Sequence, residues 1–151
     1  MSTKILKIKL AYGRHGLDIC LPADRTTVIE PEFIPGLPDE VGALRTALRD
    51  PVGARPLRQM VAAGQTVAIS VCDVTRPMPS AIVLPVLLNE LRHVPTEQIV
   101  VLVATGPHRA SSRVELDEML GRDIVRDYRV VNHDAFDAGG LTHIGDTPDG
   151  I

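Results

Sequence analysis

The first part of the chain contains two segments in which polar and apolar residues alternate. Lys7–Leu10 and Leu17–Leu21 both show this period of two, and the turn-forming residues Gly13–Gly16 lie between them. Such alternation is typical of strands with one face exposed to solvent, so we predict a β-hairpin. We also predict a further short strand over Thr26–Glu30.

The spacing of the apolar residues changes after a stretch rich in proline. The prolines between residues 22 and 38 predict an extended, irregular segment. From Asp39 onward, apolar residues recur at helical spacing, which predicts a helix that closes at Asp50-Pro51. A second short helix is predicted near Leu57, ending before Gly64.

The remainder of the chain repeats a strand–helix pattern. Apolar runs predict strands at Thr66–Cys72, Gln98–Ala104 and Tyr128–Val131, the first of them covered on both faces. Helices are predicted from Ser80 to His93 and from a capping box formed by Ser112 and Glu115. This order predicts an α/β fold: a Rossmann-like, mostly parallel sheet with flanking helices, preceded by the N-terminal β-hairpin.

Length and composition are those of one ordinary globular domain, which we assign to residues 1–151. After a last short strand over Leu141–Ile144 no closing element is predicted, so we expect the domain to be incomplete. A net charge of −3 and a sequence pI near 5.9 argue against nucleic acid as a partner.

No apolar run is long enough to form a signal sequence or to span a bilayer, so we expect a soluble, cytoplasmic protein without a membrane partner. Two cysteines do not provide a disulfide framework, and no metal site is predicted, because no metal-ligand spacing is present. Every basic residue after Lys9 is arginine, so no later residue can supply a reactive lysine amine.

Each predicted parallel strand is followed by a cluster of polar residues. The three clusters are Cys72–Pro77, Ala104–Arg109 and Asn132–Asp134. Ligands of open parallel sheets bind outside the carboxyl ends of the strands, so clusters on neighbouring strands would meet at one crevice. We expect Asp73, Arg76, His108, Arg109 and His133 to converge on that crevice.

The main candidates also have structural interpretations. Asp73 and Thr75 could satisfy loop amides or cap the next helix. Arg76 could hold a carboxylate or phosphate of a ligand, or it could form an ion pair with Asp73. His108 follows the turn formers Gly106-Pro107 and is either a group that exchanges a proton near neutral pH or a solvated loop histidine.

Taken together, these clusters resemble the N-terminal domain of the lactate racemase family, the nickel-pincer-nucleotide enzymes. The resemblance rests on Ser70–Pro79, Ala104–Arg109 and Val130–Asp134, with a weaker match at Asp50–Gly53, and it covers nearly the whole chain. It implies a domain of a racemase or epimerase that inverts the C2 centre of a 2-hydroxy acid through transient hydride removal.

The resemblance also implies a division of roles. A nickel-bound pyridinium dithio-derivative mononucleotide accepts the hydride, while protein groups orient the substrate and move the hydroxyl proton. On the matching motifs, His108 is one of two acid/base histidines, Arg76 orients the substrate carboxylate, and Asp73 belongs to the supporting loop. The residues assigned to substrate or cofactor binding are Thr75, Thr105, Gly106, Arg109 and His133.

In the family, the second catalytic histidine, the nickel-binding histidine and the lysine that carries the cofactor lie beyond the position of Ile151. We therefore expect half an active site, inactive alone, that a C-terminal domain completes in cis or in trans around a small 2-hydroxy acid. One alternative is a stand-alone α/β module that binds a nucleotide, phosphate or small carboxylate through Arg76, His108 and Arg109. A third is a hydrolase or phosphatase built on Asp73.

Overall fold

The computed structural model describes residues 4–148 of the chain. Its internal contacts divide it into two compact units, one ending at Gly36 and one beginning at Leu37. The domain limits predicted at residues 1 and 151 lie outside the described residues. Within residues 4–148, no helix combines the length and the apolar character needed to cross a membrane.

The first unit is an antiparallel hairpin of β1 (Ile5–Leu10) and β2 (Leu17–Pro22). Two cross-strand apolar pairs, Leu6 with Leu21 and Ile8 with Ile19, place half-buried side chains on one face. This confirms the hairpin that the alternating pattern predicts, because a period of two directs every second side chain to the same face.

The strand predicted at Thr26–Glu30 is wrong, because the described chain runs there without helix or strand. Ile29 is 91% exposed, so its side chain is not packed as a strand residue would be. A short apolar segment becomes a strand only where a neighbouring strand can hydrogen-bond to it, and Pro31 directly after it lacks a backbone donor.

The second unit carries the parallel sheet. Its helices and strands are α1 (Glu40–Arg49), α2 (Leu57–Met60), β3 (Val67–Cys72), α3 (Ser80–Glu90), β4 (Ile99–Ala104), α4 (Arg113–Leu120), α5 (Arg122–Asp127) and β5 (Arg129–Asn132). The order in the sheet is β3-β4-β5, with both pairs parallel. Because Cys72 lies opposite Ala104 and Val103 opposite Asn132, all three strands end at one edge. The α/β fold is confirmed.

Local signals define several of the helix ends. The predicted capping box is present at the start of α4, where Ser112 and Glu115 satisfy each other's backbone N–H groups. The single helix expected after Ser112 is instead divided into α4 and α5 at Gly121, whose φ of +94° only glycine adopts readily. α3 ends at Glu90, three residues before the predicted end, and Leu141–Ile144 forms no strand.

The core lies on one face of the sheet. Both crossovers proceed in the same direction, so right-handed connections place α3, α4 and α5 on the same side. There Ile99, Val101 and Val103 are at most 2% exposed and pack in one cluster with the leucines of α3 and α4. On the other face of β3, Ala68, Ser70 and Cys72 are exposed. The expectation that β3 is covered on both faces is therefore wrong for the described residues.

Candidate active site

The loop after β3 folds around the carboxylate of Asp73. Asp73 is 5% exposed, and its Oδ1 accepts hydrogen bonds from Thr75 Oγ1 at 2.6 Å and from the Thr75 backbone N–H at 3.2 Å. The backbone N–H of Arg76 donates to the Asp73 carbonyl at 3.2 Å. Asp73 therefore organises the loop, as one of its structural interpretations requires, while Oδ2 is left for a second partner.

That second partner is His108, which comes from the loop after β4. The Nδ1 atom of His108 lies 2.6 Å from Asp73 Oδ2, although the residues are 35 positions apart. A carboxylate only accepts, so Nδ1 carries a proton, and in the neutral ring Nε2 then keeps its lone pair. The His108 side chain is 47% exposed, and Nε2 has no hydrogen-bond partner within residues 4–148.

A tight turn delivers His108 to this position. The His108 backbone N–H donates to the Thr105 carbonyl at 3.1 Å, and Gly106 between them has a φ of +56°. A side chain at that φ would be strained, so glycine is required for the turn. The sequence-predicted residues Thr105, Gly106 and His108 thus form one local structure.

The surroundings of Asp73 favour its ionised form. Hydrogen bonds from Thr75 first, and from His108 second, lower the pKa of Asp73 against the opposing effect of burial. Both carboxylate oxygens are engaged by these neighbours. The geometry therefore favours a residue that orients His108 over one that attacks a phosphoryl or acyl group.

Arg76 is exposed at the same edge of the sheet. The ion pair with Asp73 that the sequence left open is not observed, and the Arg76 side chain has no ion pair within the described part of the chain. Arg76 lines a cavity of about 300 Å³ together with Met78, Met119 and Glu118. Its guanidinium is therefore available to an anionic ligand.

Arg109, in contrast, has a protein partner. Its guanidinium forms a two-pronged ion pair with Glu115, with N–O distances of 2.6 and 2.8 Å. Together with the hydrogen bonds to Ser112, this pair lowers the pKa of Glu115 to about 2. Arg109 thus fastens the loop that carries His108 to the first turn of α4.

Hydrogen bonds tie the end of β5 to the same loop. The buried hydroxyl of Thr105 donates to the His133 carbonyl, and the His133 backbone N–H donates to the Val103 carbonyl at 2.9 Å. The ring of His133 is half-buried and forms no hydrogen bond to the described residues. All three polar clusters therefore lie at one edge, but only Asp73, Thr75 and His108 join their side chains directly.

The role of Asn132 is not evident from the sequence. Its amide oxygen accepts from the Ser111 backbone N–H at 2.9 Å, and its amide nitrogen donates to the Ser111 carbonyl at 3.1 Å. Asn132 thus connects the end of β5 to the segment just before α4. The only signal in the sequence is a polar residue at the end of an apolar strand.

A family model of the lactate racemase N-terminal domain matches residues 12–151. The chain belongs to that family. This confirms the resemblance seen in the strand-end motifs, and it assigns the hairpin's second strand and the whole parallel sheet to the lactate racemase N-terminal domain.

Individual relatives agree with this family assignment. The chain is 38% identical over 112 residues to a lactate racemase of Lactiplantibacillus plantarum, covering 74% of this chain and 26% of that protein. It is 30% identical over 148 residues to a lactate racemase of Thermoanaerobacterium thermosaccharolyticum, covering 95% of this chain and 34% of that protein. The lactate racemase N-terminal domain described here thus spans about a third or less of the length of these relatives.

Solved structures show the same fold. The lactate racemase apoprotein of Thermoanaerobacterium thermosaccharolyticum matches with a TM-score of 0.78 at 30% identity, covering 96% of this chain and 34% of that one. A Thermotoga maritima protein matches with a TM-score of 0.59 at 24% identity, covering 77% of this chain and 26% of that one. The second likeness concerns the fold alone.

Proposed function

We propose that this chain is the substrate-orienting and proton-transferring N-terminal part of a 2-hydroxy acid racemase or epimerase. The observation that carries the proposal is the contact between Asp73 and His108 at the carboxyl edge of the sheet, in the same loop region as Arg76, whose guanidinium forms no ion pair within the described part of the chain. The relatives named lactate racemase support the class of reaction.

His108 is the acid/base in this proposal. Asp73 holds the proton on Nδ1, so the Nε2 lone pair is directed away from the carboxylate and can accept the proton of a substrate hydroxyl. A negative Asp73 also stabilises the imidazolium that forms when Nε2 takes up that proton. Removal of the hydroxyl proton and its return are the steps that this chain supplies.

Arg76 is the substrate-orienting residue. A guanidinium presents two parallel N–H donors that match the two oxygens of a carboxylate. Pro77 and Pro79 flank the loop and restrict its backbone, which reduces the entropy lost when the substrate is held. In this proposal Arg76 holds the carboxylate of a small 2-hydroxy acid, and His108 acts on its hydroxyl group.

The residues of this chain do not fit the nickel-pincer nucleotide that the resemblance implies. No lysine follows Lys9. Among residues 4–148, no three His, Cys, Asp or Glu side chains lie close enough together to hold a metal ion. We therefore assign cofactor attachment and nickel binding to a C-terminal domain supplied in cis or in trans.

Racemisation of lactate by the gene product in its natural length, followed by chiral chromatography, tests this proposal. His108→Gln is expected to lower kcat about 100-fold or more, as for loss of a positioned acid/base. Arg76→Gln is expected to weaken substrate binding about tenfold or more. Arg113→Gln is the matched control, because it removes the same charge from an exposed pair with Asp117.

Two outcomes would contradict the proposal. Racemisation by the purified 151-residue chain alone would show that the site is not divided between domains. Saturable lactate binding that Arg76→Gln abolishes, without racemisation by the natural-length product, would favour the stand-alone binding module instead.

The orienting role of Asp73 can be measured without turnover. In Asp73→Asn the amide can donate as well as accept, so the preference for a proton on Nδ1 is expected to be lost. The ¹⁵N chemical shifts of the His108 ring report this tautomer directly. Unchanged shifts in Asp73→Asn would mean that Asp73 does not orient the imidazole.

A further inference from the structure

A second cleft lies at the opposite edge of the parallel sheet. α3 has 11 residues, so at about 1.5 Å per residue it carries the chain about 16 Å away from the loop that contains Asp73. The cleft at its far end has a volume of about 330 Å³. It is lined by Arg49, Arg58, Gln59, Asn89, Glu90, Arg92 and His93, and we call it the cationic cleft.

Only one of the three arginines in the cationic cleft has a carboxylate partner. Glu90 is 4% exposed, and Arg49 donates from Nε and Nη2 to its Oε1, each at 2.8 Å. Arg58 and Arg92 are exposed and form no ion pair within the part of the chain that the structure describes. Three positive charges thus surround one negative charge.

The surplus of positive charge favours the ionised form of Glu90. The hydrogen bond from Arg49 is the main reason that the pKa of Glu90 is lowered, and the fields of Arg58 and Arg92 add to it. The carboxyl end of α3 contributes only about half a negative charge. The cationic cleft therefore keeps a net positive charge above one, close to a surface where anions can enter.

The wall of the cationic cleft is held in place. The Nε2 atom of His93, after α3, lies 2.7 Å from the carbonyl oxygen of Val61, after α2, and therefore donates to it. The Arg49–Glu90 pair connects α1 to α3 in the same region. Fixing these segments in the free protein reduces the cost of ordering them around a ligand.

We propose that the cationic cleft binds a phosphate-type anion. Guanidinium groups match phosphate oxygens in paired hydrogen bonds, and the amides of Gln59 and Asn89 add neutral donors. The volume of about 330 Å³ leaves room for a phosphate ester as well as the bare ion. This site is separate from the one proposed for the hydroxy acid, so neither proposal depends on the other.

Titration calorimetry of the 151-residue chain with inorganic phosphate and with glycerol phosphate tests the proposal, in sodium chloride of matched ionic strength. Saturable binding is expected, weakened about tenfold or more by Arg58→Gln and by Arg92→Gln. Tighter binding of the ester would identify a phosphorylated small molecule as the ligand. Equal binding would identify free phosphate.

The matched control is Arg122→Gln, which removes the same charge from an exposed position on α5 and is expected to leave binding unchanged. Arg76→Gln is expected to leave it unchanged as well. Amide chemical shifts should move at Asn89 and Glu90 rather than at Asp73. The proposal is overturned if neither probe binds, if the Arg58→Gln and Arg92→Gln variants bind as tightly as the parent, or if only Arg76→Gln abolishes binding.

Discussion

The two edges of the parallel sheet differ in how completely their charged side chains are paired. At the carboxyl edge, Asp73 is satisfied by Thr75 and His108, and Arg109 is paired with Glu115. At the opposite edge, where the strands begin and which we call the amino edge, the buried carboxylate of Glu90 pairs with Arg49, while Arg58 and Arg92 form no ion pair among residues 4–148. The first edge is mostly neutralised within the protein, and the second keeps a positive field.

The difference indicates which charged groups position other side chains and which are available to bind a ligand. Short hydrogen bonds that occupy both oxygens of a carboxylate hold the neighbouring side chain in one orientation. An acid/base such as His108 requires this fixed orientation. Unpaired guanidinium groups cost little while water solvates them, and they become useful when an anion displaces that water. Arg76 is the exception at the carboxyl edge, and this is where we propose that the substrate carboxylate binds.

The largest effect on stability is expected from Asn132→Ala at the carboxyl edge. The change removes both hydrogen bonds to the Ser111 backbone, and Ser111 itself is buried. Leaving a buried backbone donor and acceptor unpaired should lower the free energy of unfolding by roughly 2 kcal/mol. Urea denaturation measures this change in the free energy of unfolding. An unchanged value would mean that water replaces the hydrogen bonds of Asn132 without cost.

A smaller loss is expected from Thr105→Val. Valine keeps the shape of the side chain but lacks the hydroxyl that donates to the His133 carbonyl. The free energy of unfolding should fall by roughly 1 kcal/mol, because a single carbonyl loses its partner. Thr96→Val, at an exposed threonine, is the control and should not change the urea midpoint.

Acid should weaken the carboxyl edge through Glu115. Its pKa is lowered from 4.5 to about 2 in the folded chain, so its ion pair stabilises the fold above pH 4.5, and that stabilisation is lost as the pH falls toward 2. Glu115→Gln should therefore lower Tm at pH 6 and flatten its decline between pH 4.5 and 2. Glu118→Gln, on the same helix, should leave the parent profile intact.

The smallest effect on stability is expected at the amino edge. Arg58→Gln and Arg92→Gln should each change the free energy of unfolding by no more than about 0.5 kcal/mol, since both side chains are exposed and form no ion pair with any described residue. The same urea denaturation measures this. A loss comparable to that of Asn132→Ala would show that these arginines are structural and would remove the contrast between the edges.

The sequence was sufficient for elements that local patterns specify. Alternation identifies the hairpin, apolar runs identify β3, β4 and β5, and Ser112 with Glu115 identifies the start of α4. It also placed the polar clusters at one edge, because successive strands of a parallel sheet share the same direction. Where it failed, at Thr26–Glu30 and Leu141–Ile144, no neighbouring strand is present among residues 4–148 to complete the pairing.

The sequence by itself determined the α/β class, the family and the residue types available at the strand ends. Only the tertiary structure decided that Asp73 pairs with His108 rather than with Arg76, that Asn132 holds Ser111, and that the arginines of the cationic cleft outnumber its carboxylate. The reason is that a helix or strand depends on residues a few positions apart in the chain. These contacts instead join distant residues, which only the sheet register and the packing of α1 against α3 bring within hydrogen-bond distance.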